Sequence, residues 1–158
     1  MPILGETGCR LAEIVGLKLD EVDLENGLIH IRPNSGRRLK TKNSDRTLPL
    51  VGYARVAMEL AFEQLDEEWL FPRFIRNGHC HASYVSVALN KWLKRDFVGL
   101  TAHCLRHTMR DRLRVVGPMD MIDQIGGWKS VSGIGVCYGQ GYGQEQQRKI
   151  MENIAISQ

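Results

Sequence analysis

The chain contains no run of roughly eighteen apolar residues, and Met1 to Thr7 lack the basic head, long apolar stretch and cleavage site of a secretory signal. Those absences predict a protein that neither spans a membrane nor is exported. Cysteine is sparse: Cys9, Cys80, Cys104 and Cys137 stand far apart with no CxxC pair, which excludes a zinc ribbon and a disulfide framework and fits a reducing cytoplasm. There is no internal repeat. Charge of one sign is also lacking, since 21 Lys and Arg face 18 Asp and Glu for a net +3, too small to announce a nucleic-acid partner. What remains is 158 residues, 43% hydrophobic and 25% charged, the size and balance of one globular domain.

The average hides an uneven distribution. Residues 32–46 hold Arg32, Arg37, Arg38, Lys40, Lys42 and Arg46 against Asp45 alone. Residues 91–114 hold Lys91, Lys94, Arg95, Arg106, Arg110, Arg112 and Arg114 against Asp96 and Asp111. Each block exceeds the net charge of the whole chain, while Glu59, Glu63, Asp66, Glu67 and Glu68 gather elsewhere. One basic and one acidic side are expected, a pattern that suits two solvated faces as well as a phosphate-binding one.

Apolar spacing predicts a first helix from Gly8 to Leu17. Asp23 to Arg32 reads as strand, turn, strand, with Asn26-Gly27 supplying the positive φ angles of a tight hairpin. Ser35-Gly36 is the next turn and Arg46 to Pro49 a third strand. Tyr53–Leu65, Ala82–Lys94, Leu105–Val115 and Met119–Ile125 show helical spacing, separated by Pro72, Asn77-Gly78, Gly99 and Gly117-Pro118. The fold class expected is α+β and mainly helical: a helical bundle with a small three-stranded antiparallel sheet. Seven of sixteen glycines fall between Gly126 and Gly143, which predicts a mobile segment around Tyr138. Helical composition returns over 144–158, a terminal helix able to dock on its own domain or on a neighbouring subunit.

The sharpest local signal is Thr101-Ala-His103-Cys-Leu-Arg106-His107-Thr108, which sets His103 and Arg106 three apart on one helical face. With it stand Arg10 in Thr7-Gly8-Cys9-Arg10-Leu11-Ala12-Glu13, Lys42 in Thr41-Lys42-Asn43-Ser44-Asp45-Arg46, Trp128 in Gly126-Gly127-Trp128-Lys129, and Tyr138. Taken singly, each reads as an ordinary surface or core residue; their order and flanks resemble the tyrosine site-specific recombinases, the phage integrase family, from about Thr7 to Tyr142. That resemblance implies catalytic roles for Arg10, Lys42, His103, Arg106, Trp128 and Tyr138, with Glu13 and His107 in support. Lys40 competes with Lys42 as the hairpin lysine, and Tyr142 is the weaker alternative to Tyr138. Arg37, Arg38, Lys40, Arg46 and Lys129 are expected to face DNA.

The chemistry of these residue types agrees. Two guanidiniums can bind the nonbridging oxygens of a phosphodiester in forks and stabilise the charge of a pentacoordinate transition state. A tyrosine hydroxyl, with a pKa of about 10, needs a base or a positive field before it attacks, and His103 could accept its proton. A lysine on the hairpin could protonate the departing deoxyribose oxygen, and the indole N–H of Trp128 could donate to phosphate. No metal or cofactor is called for. The partners implied are double-stranded DNA and further copies of the chain, a tetramer on DNA, in a bacterial or phage-encoded protein of the cytoplasm and nucleoid.

Because Arg10 lies so close to Met1, residues 1–158 are expected to be a catalytic domain shortened at its amino end and lacking the amino-terminal DNA clamp. A noncatalytic DNA-binding fragment is therefore a competing expectation. A metal-dependent hydrolase built on His79, His81, His103 and His107 is the least favoured. The second pair lacks the intervening glutamate of metalloproteases, and no further ligands follow at regular spacing. The glycine-rich run is no phosphate-binding loop, since it follows no strand and lacks Gly-Lys-Ser/Thr.

Overall fold

The computed structural model describes residues 1–63, 68–129 and 141–156. Helix α1 (Pro2–Thr7) and helix α2 (Leu11–Val15) lead into strands β1 (Val22–Asp23), β2 (Leu28–Ile31) and β3 (Arg46–Pro49). Helix α3 (Gly52–Phe62) follows, then a short hairpin of β4 (Ile75–Arg76) and β5 (His79–Cys80). Helices α4 (Ala82–Asp96), α5 (Ala102–Val116), α6 (Met119–Gly126) and α7 (Gln144–Glu152) complete the described elements. This is the mainly helical α+β architecture expected, with an antiparallel sheet in the order β1-β2-β3. Among the described residues no helix is long and apolar enough to cross a membrane.

The sheet shows how the sequence sorts its faces. Side chains alternate across a strand, so Ile29 and Ile31 of β2 point to one side with Leu48 of β3, which pairs directly with Ile29. All three are fully buried. The helices complete that core from the other side with Met58 of α3, Leu113 of α5, Ile122 and Ile125 of α6 and Met151 of α7. Helix α7 contacts the β-sheet of its own chain. Its Arg148 donates to the carbonyls of Asn26 and Gly27 at 2.7 and 3.2 Å, and Gln144 Nε2 donates to Thr47 O at 3.3 Å.

Three local expectations are corrected. The helix expected over Gly8–Leu17 is broken, because Gly8 (φ 61°) takes the left-handed conformation that ends α1 and Arg10 is extended (φ −70°, ψ 148°) ahead of α2. Pro2 at the first turn is the signal for α1. At the first hairpin only Gly27 has positive φ; the Asn26 N–H and side-chain amide bond to the Asp23 carboxylate instead, at 2.9 and 2.7 Å. The paired positive φ angles occur at Asn77 (50°) and Gly78 (73°), where a loop was expected and β4 pairs with β5.

Arg37 is a fourth correction. It is buried rather than facing DNA: its Nη2 donates to both Glu21 carboxylate oxygens at 3.1 and 3.2 Å and to Arg32 O at 2.6 Å. Its Nη1 donates to Glu13 O and Gly16 O at 2.6 and 2.9 Å. The side chain thereby ties the turn after β2 to the carbonyl end of α2. Removing one member of such a buried pair strands the other charge, so Glu21→Gln should lower the unfolding free energy by about 3 kcal/mol. The double variant Glu21→Leu/Arg37→Met should recover most of the loss in urea denaturation. A single-variant loss under about 1 kcal/mol would mean the pair behaves as a surface one.

Candidate active site

The site is organised around Glu13, a carboxylate 3% exposed at the third position of α2. Its Oε2 accepts from the Arg10 backbone N–H at 2.8 Å and from Arg46 Nη2 at 3.0 Å, while Oε1 accepts from Arg10 Nη1 at 2.6 Å. Burial pushes the Glu13 carboxyl up, but the Arg46 charge and the hydrogen bonds from Arg46 and Arg10 outweigh that and leave it below its ordinary value. Arg46 also donates from Nε to Ile125 O at 2.8 Å and from Nη1 to Ser44 O at 2.8 Å. The expectation that Arg46 faces DNA is thus corrected. It is a buried strut between β3, α2 and the end of α6.

Arg106 enters from α5 and is 4% exposed. Its Nη1 donates to Gly8 O and its Nη2 to Gly126 O at 2.6 Å. Gly8 follows α1 and Gly126 is the last residue of α6, so both acceptors lie at helix carboxyl ends, where the peptide dipoles favour a cation. Burial, then the nearby charge of Arg10, bring the Arg106 pKa down to about 10, so the group stays charged at neutral pH. Arg10 and Arg106 share an open cavity of about 160 Å3 with His103, Ser86 and Cys9.

His103 lies in the first turn of α5, and its ring meets that of His107 edge-on at 4.7 Å. His107 is exposed beside His103. Burial, followed by the charges of His107, Arg106, Arg10 and Lys40, lowers the His103 pKa, so its imidazole is neutral near pH 7 and free to take up a proton. The influence of Lys40 brings one of the two lysine candidates within electrostatic reach of the site. Lys42 opens a 3-10 turn over Lys42–Ser44. Arg38, Lys40 and Lys129 are exposed.

Trp128 is fixed by the end of α6. Gly127 (φ 62°) is left-handed, its N–H returns to Gln124 O at 3.3 Å, and the Trp128 N–H returns to Asp123 O at 3.0 Å. The indole then lies against Gly126, where an added Cβ would fall 1.8 Å from two ring carbons. The Arg106 guanidinium carbon is 4.4 Å from the indole centroid and that of Arg110 is 4.8 Å away. Tyr138 lies outside the described residues, as does most of the glycine-rich segment expected to be mobile. Tyr142 is engaged elsewhere: its hydroxyl donates to Asp120 Oδ2 at 2.9 Å, an interaction that raises its pKa.

Ser44, Arg110 and Asp123 join the site without having been picked out in the sequence. Ser44 is fully buried, accepts from Arg10 Nη1 at 2.8 Å and contacts Thr41 Oγ1 at 2.9 Å, linking the lysine turn to Arg10. A hydroxyl two residues after Lys42 in a Thr-x-x-Ser turn was the available signal. Among the described residues no group of three His, Cys, Asp or Glu side chains converges as a metal site requires. His79 is exposed on β5, apart from the cavity that His103 lines.

Two outcomes follow from this geometry. Because the folded Glu13 pKa is depressed, its contribution is present above pH 4.5 and is lost as pH falls through its folded value. The stability gap between the wild type and Glu13→Gln, about 3 kcal/mol at neutral pH, should therefore shrink on acidification in urea titrations. A pH-independent gap would contradict the assignment. Gly126→Ala should displace the indole and cost about 1–3 kcal/mol by overpacking, and an unchanged melting transition would contradict that contact.

Comparison with known proteins gives the family and the fold. The model of the phage integrase family matches residues 1–143. Tyrosine recombinase XerC of Pseudomonas savastanoi pv. phaseolicola is 35% identical over 86 residues, 54% of this chain and 24% of that one. Tyrosine recombinase XerA of Thermococcus kodakarensis is 28% identical over 115 residues, 70% of this chain and 39% of that one. This chain thus spans well under half of either relative. The integrase of mycobacterium phage Brujita superposes with a TM-score of 0.68 at 24% identity, over 96% of this chain and 50% of that one. A XerA recombinase crystal structure gives 0.62 at 23% identity, over 86% and 53%. With the model match covering nearly all of it, and Arg10, His103 and Arg106 gathered at one cavity, the chain belongs to the phage integrase family.

Proposed function

We propose that this chain is the strand-transfer domain of a site-specific DNA recombinase. The observation that carries the reading is the charge of the site: Arg10 and Arg46 share the single carboxylate of Glu13, while Arg106, beside Arg10 at the same cavity, is held only by the carbonyls of Gly8 and Gly126. The unbalanced positive charge beside an open cavity calls for an anion, and a phosphodiester fits the forks of Arg10 and Arg106. Arg46 is buried, so it supplies field rather than contact. Arg38, Lys40 and Lys129 are exposed and available to neighbouring phosphates of double-stranded DNA.

The reaction is a transesterification. The Tyr138 oxygen bonds to phosphorus as the P–O5′ bond breaks, leaving a 3′-phosphotyrosyl link and a 5′-hydroxyl. The tyrosine proton passes to neutral His103, and the lysine of the hairpin, Lys42 or Lys40, supplies the proton that the departing oxygen needs. Arg10 and Arg106 hold the charge that builds on the nonbridging oxygens. Resealing is the same step reversed with a 5′-hydroxyl from a partner strand, so no nucleotide cofactor is consumed. Four copies on two paired sites would exchange strands in turn.

Incubation with a suicide duplex, which loses its 5′-hydroxyl fragment after cleavage, tests the reading on a denaturing gel. A covalent adduct is expected that disappears in Tyr138→Phe and survives in Tyr142→Phe. Arg106→Ala should slow its formation by about 100- to 1,000-fold. The lowered His103 pKa places the acid limb of the rate below pH 6.5. An adduct that persists in Tyr138→Phe would remove the nucleophile assignment. DNA retention with no covalent product would mark the chain as a binding module.

A further inference from the structure

Arg110 and Asp123 lie outside the phosphate-binding set but touch it through one side chain. Arg110 stands one helical turn after Arg106 on α5, and its Nη2 donates to Asp123 Oδ1 on α6 at 3.0 Å. Asp123 is 4% exposed, and its backbone carbonyl accepts the N–H of Trp128. The Arg110 guanidinium carbon lies 4.8 Å from the Trp128 ring centroid, and that of Arg106 lies 4.4 Å from it. One indole therefore borders two guanidiniums, and only Arg106 lines the cavity.

Two like charges near one ring would repel, and the arrangement holds because each has its own counterpart. Arg106 has the carbonyls of Gly8 and Gly126, and Arg110 has the Asp123 carboxylate. The negative π-face attracts both, most strongly where water is excluded. An ordinary salt bridge between α5 and α6 would need no aromatic partner. Here the same aspartate holds Arg110 by its side chain and Trp128 by its backbone, so ring and cation share one anchor.

We propose that Arg110 and Asp123 are positioning residues for strand transfer, fixing Trp128 against Arg106 so that the Arg106 guanidinium presents one orientation to the scissile phosphate. This deepens the strand-transfer reading and rests on it for its consequence in catalysis. The clamp itself is a property of the fold and can be observed without DNA. Loss of Arg110 removes a cation from the indole face, and Arg106 then samples orientations that bind phosphate less well.

The test combines two readouts. In protein labelled with 5-fluorotryptophan, Arg110→Ala should shift the 19F resonance of Trp128 and leave those of Trp69 and Trp92 in place. Arg110→Lys, which keeps the charge, the carboxylate partner and a cation near the ring, should restore it. Inorganic phosphate binding should weaken about fivefold in Arg110→Ala, and single-turnover cleavage of the suicide duplex about tenfold, with Lys recovering most of each. Asp123→Asn should follow Arg110→Ala in direction. The proposal is overturned if the Trp128 resonance ignores Arg110→Ala. It is equally overturned if phosphate affinity is unchanged, or if Lys rescues nothing while all three tryptophan signals move together, the mark of general unfolding. A wild-type chain that forms no adduct would sink the strand-transfer reading and with it the proposal's catalytic consequence; the fluorine and phosphate readouts would still decide the clamp.

Discussion

The seats of Arg10 and Arg46 depend on one buried carboxylate. Glu13 receives Arg10 twice, through backbone and side chain, and Arg46 once. Arg46 in turn reaches Ile125 O, so a single chain of polar contacts runs from α2 through β3 to α6. Taking a carboxylate out of water costs several kcal/mol unless it is paired and fully bonded, and here two guanidiniums meet that condition. The consequence is electrostatic. The carboxylate that holds the scaffold together is outnumbered by the arginines around it, so the fold keeps a positive field beside the cavity.

The same economy of contacts explains how a buried arginine comes to line an open cavity. Arg106 has lost most of its water, and in exchange takes carbonyls from the ends of α1 and α6. These acceptors belong to different elements, and with the Trp128 ring beside them they set the orientation of the guanidinium. Preorganised donors of this kind lose little reorganisation energy when charge builds on a phosphate. Arg10 differs in kind: its side chain is 25% exposed, and Glu13 and Ser44 hold it from behind. One arginine is locked into the wall and the other leans on it.

Much of this was legible before the structure. The three-strand sheet and the later helices follow from apolar spacing, and the His103–Arg106 pair reads as one face of α5. Arg46 could have been placed correctly as well: it shares strand parity with Leu48, so it faces the core wherever Leu48 does. Arg37 carried no such local signal, because its partner Glu21 lies sixteen residues earlier and the pairing exists only once the turn is closed. The break at Gly8 was misread for a related reason. A glycine before a helical pattern fits an initiation or a termination equally well, and Met109 packed 2.9 Å from where a Gly8 side chain would begin decides it only in three dimensions. The charge blocks misled in the same way, since counting cations does not separate those that meet solvent from those that meet a buried acid.

Helix α6 emerges as the frame of reference for the chemistry. Its final carbonyls receive Arg46 at Ile125 and Arg106 at Gly126, and its left-handed cap at Gly127 aims Trp128. From its polar side Gln124 Nε2 donates to Tyr142 O and Gln124 Oε1 accepts from Tyr142 N–H, both at 2.9 Å, while Asp120 takes the Tyr142 hydroxyl. The sequence that carries Tyr138 is thus bounded by Trp128 and Tyr142, both secured to one helix of eight residues. The acceptors of Arg46 and Arg106 and both boundaries of that stretch of sequence share one short helix. A displacement of α6 against α5 therefore alters the seating of Arg106 and of Trp128 together.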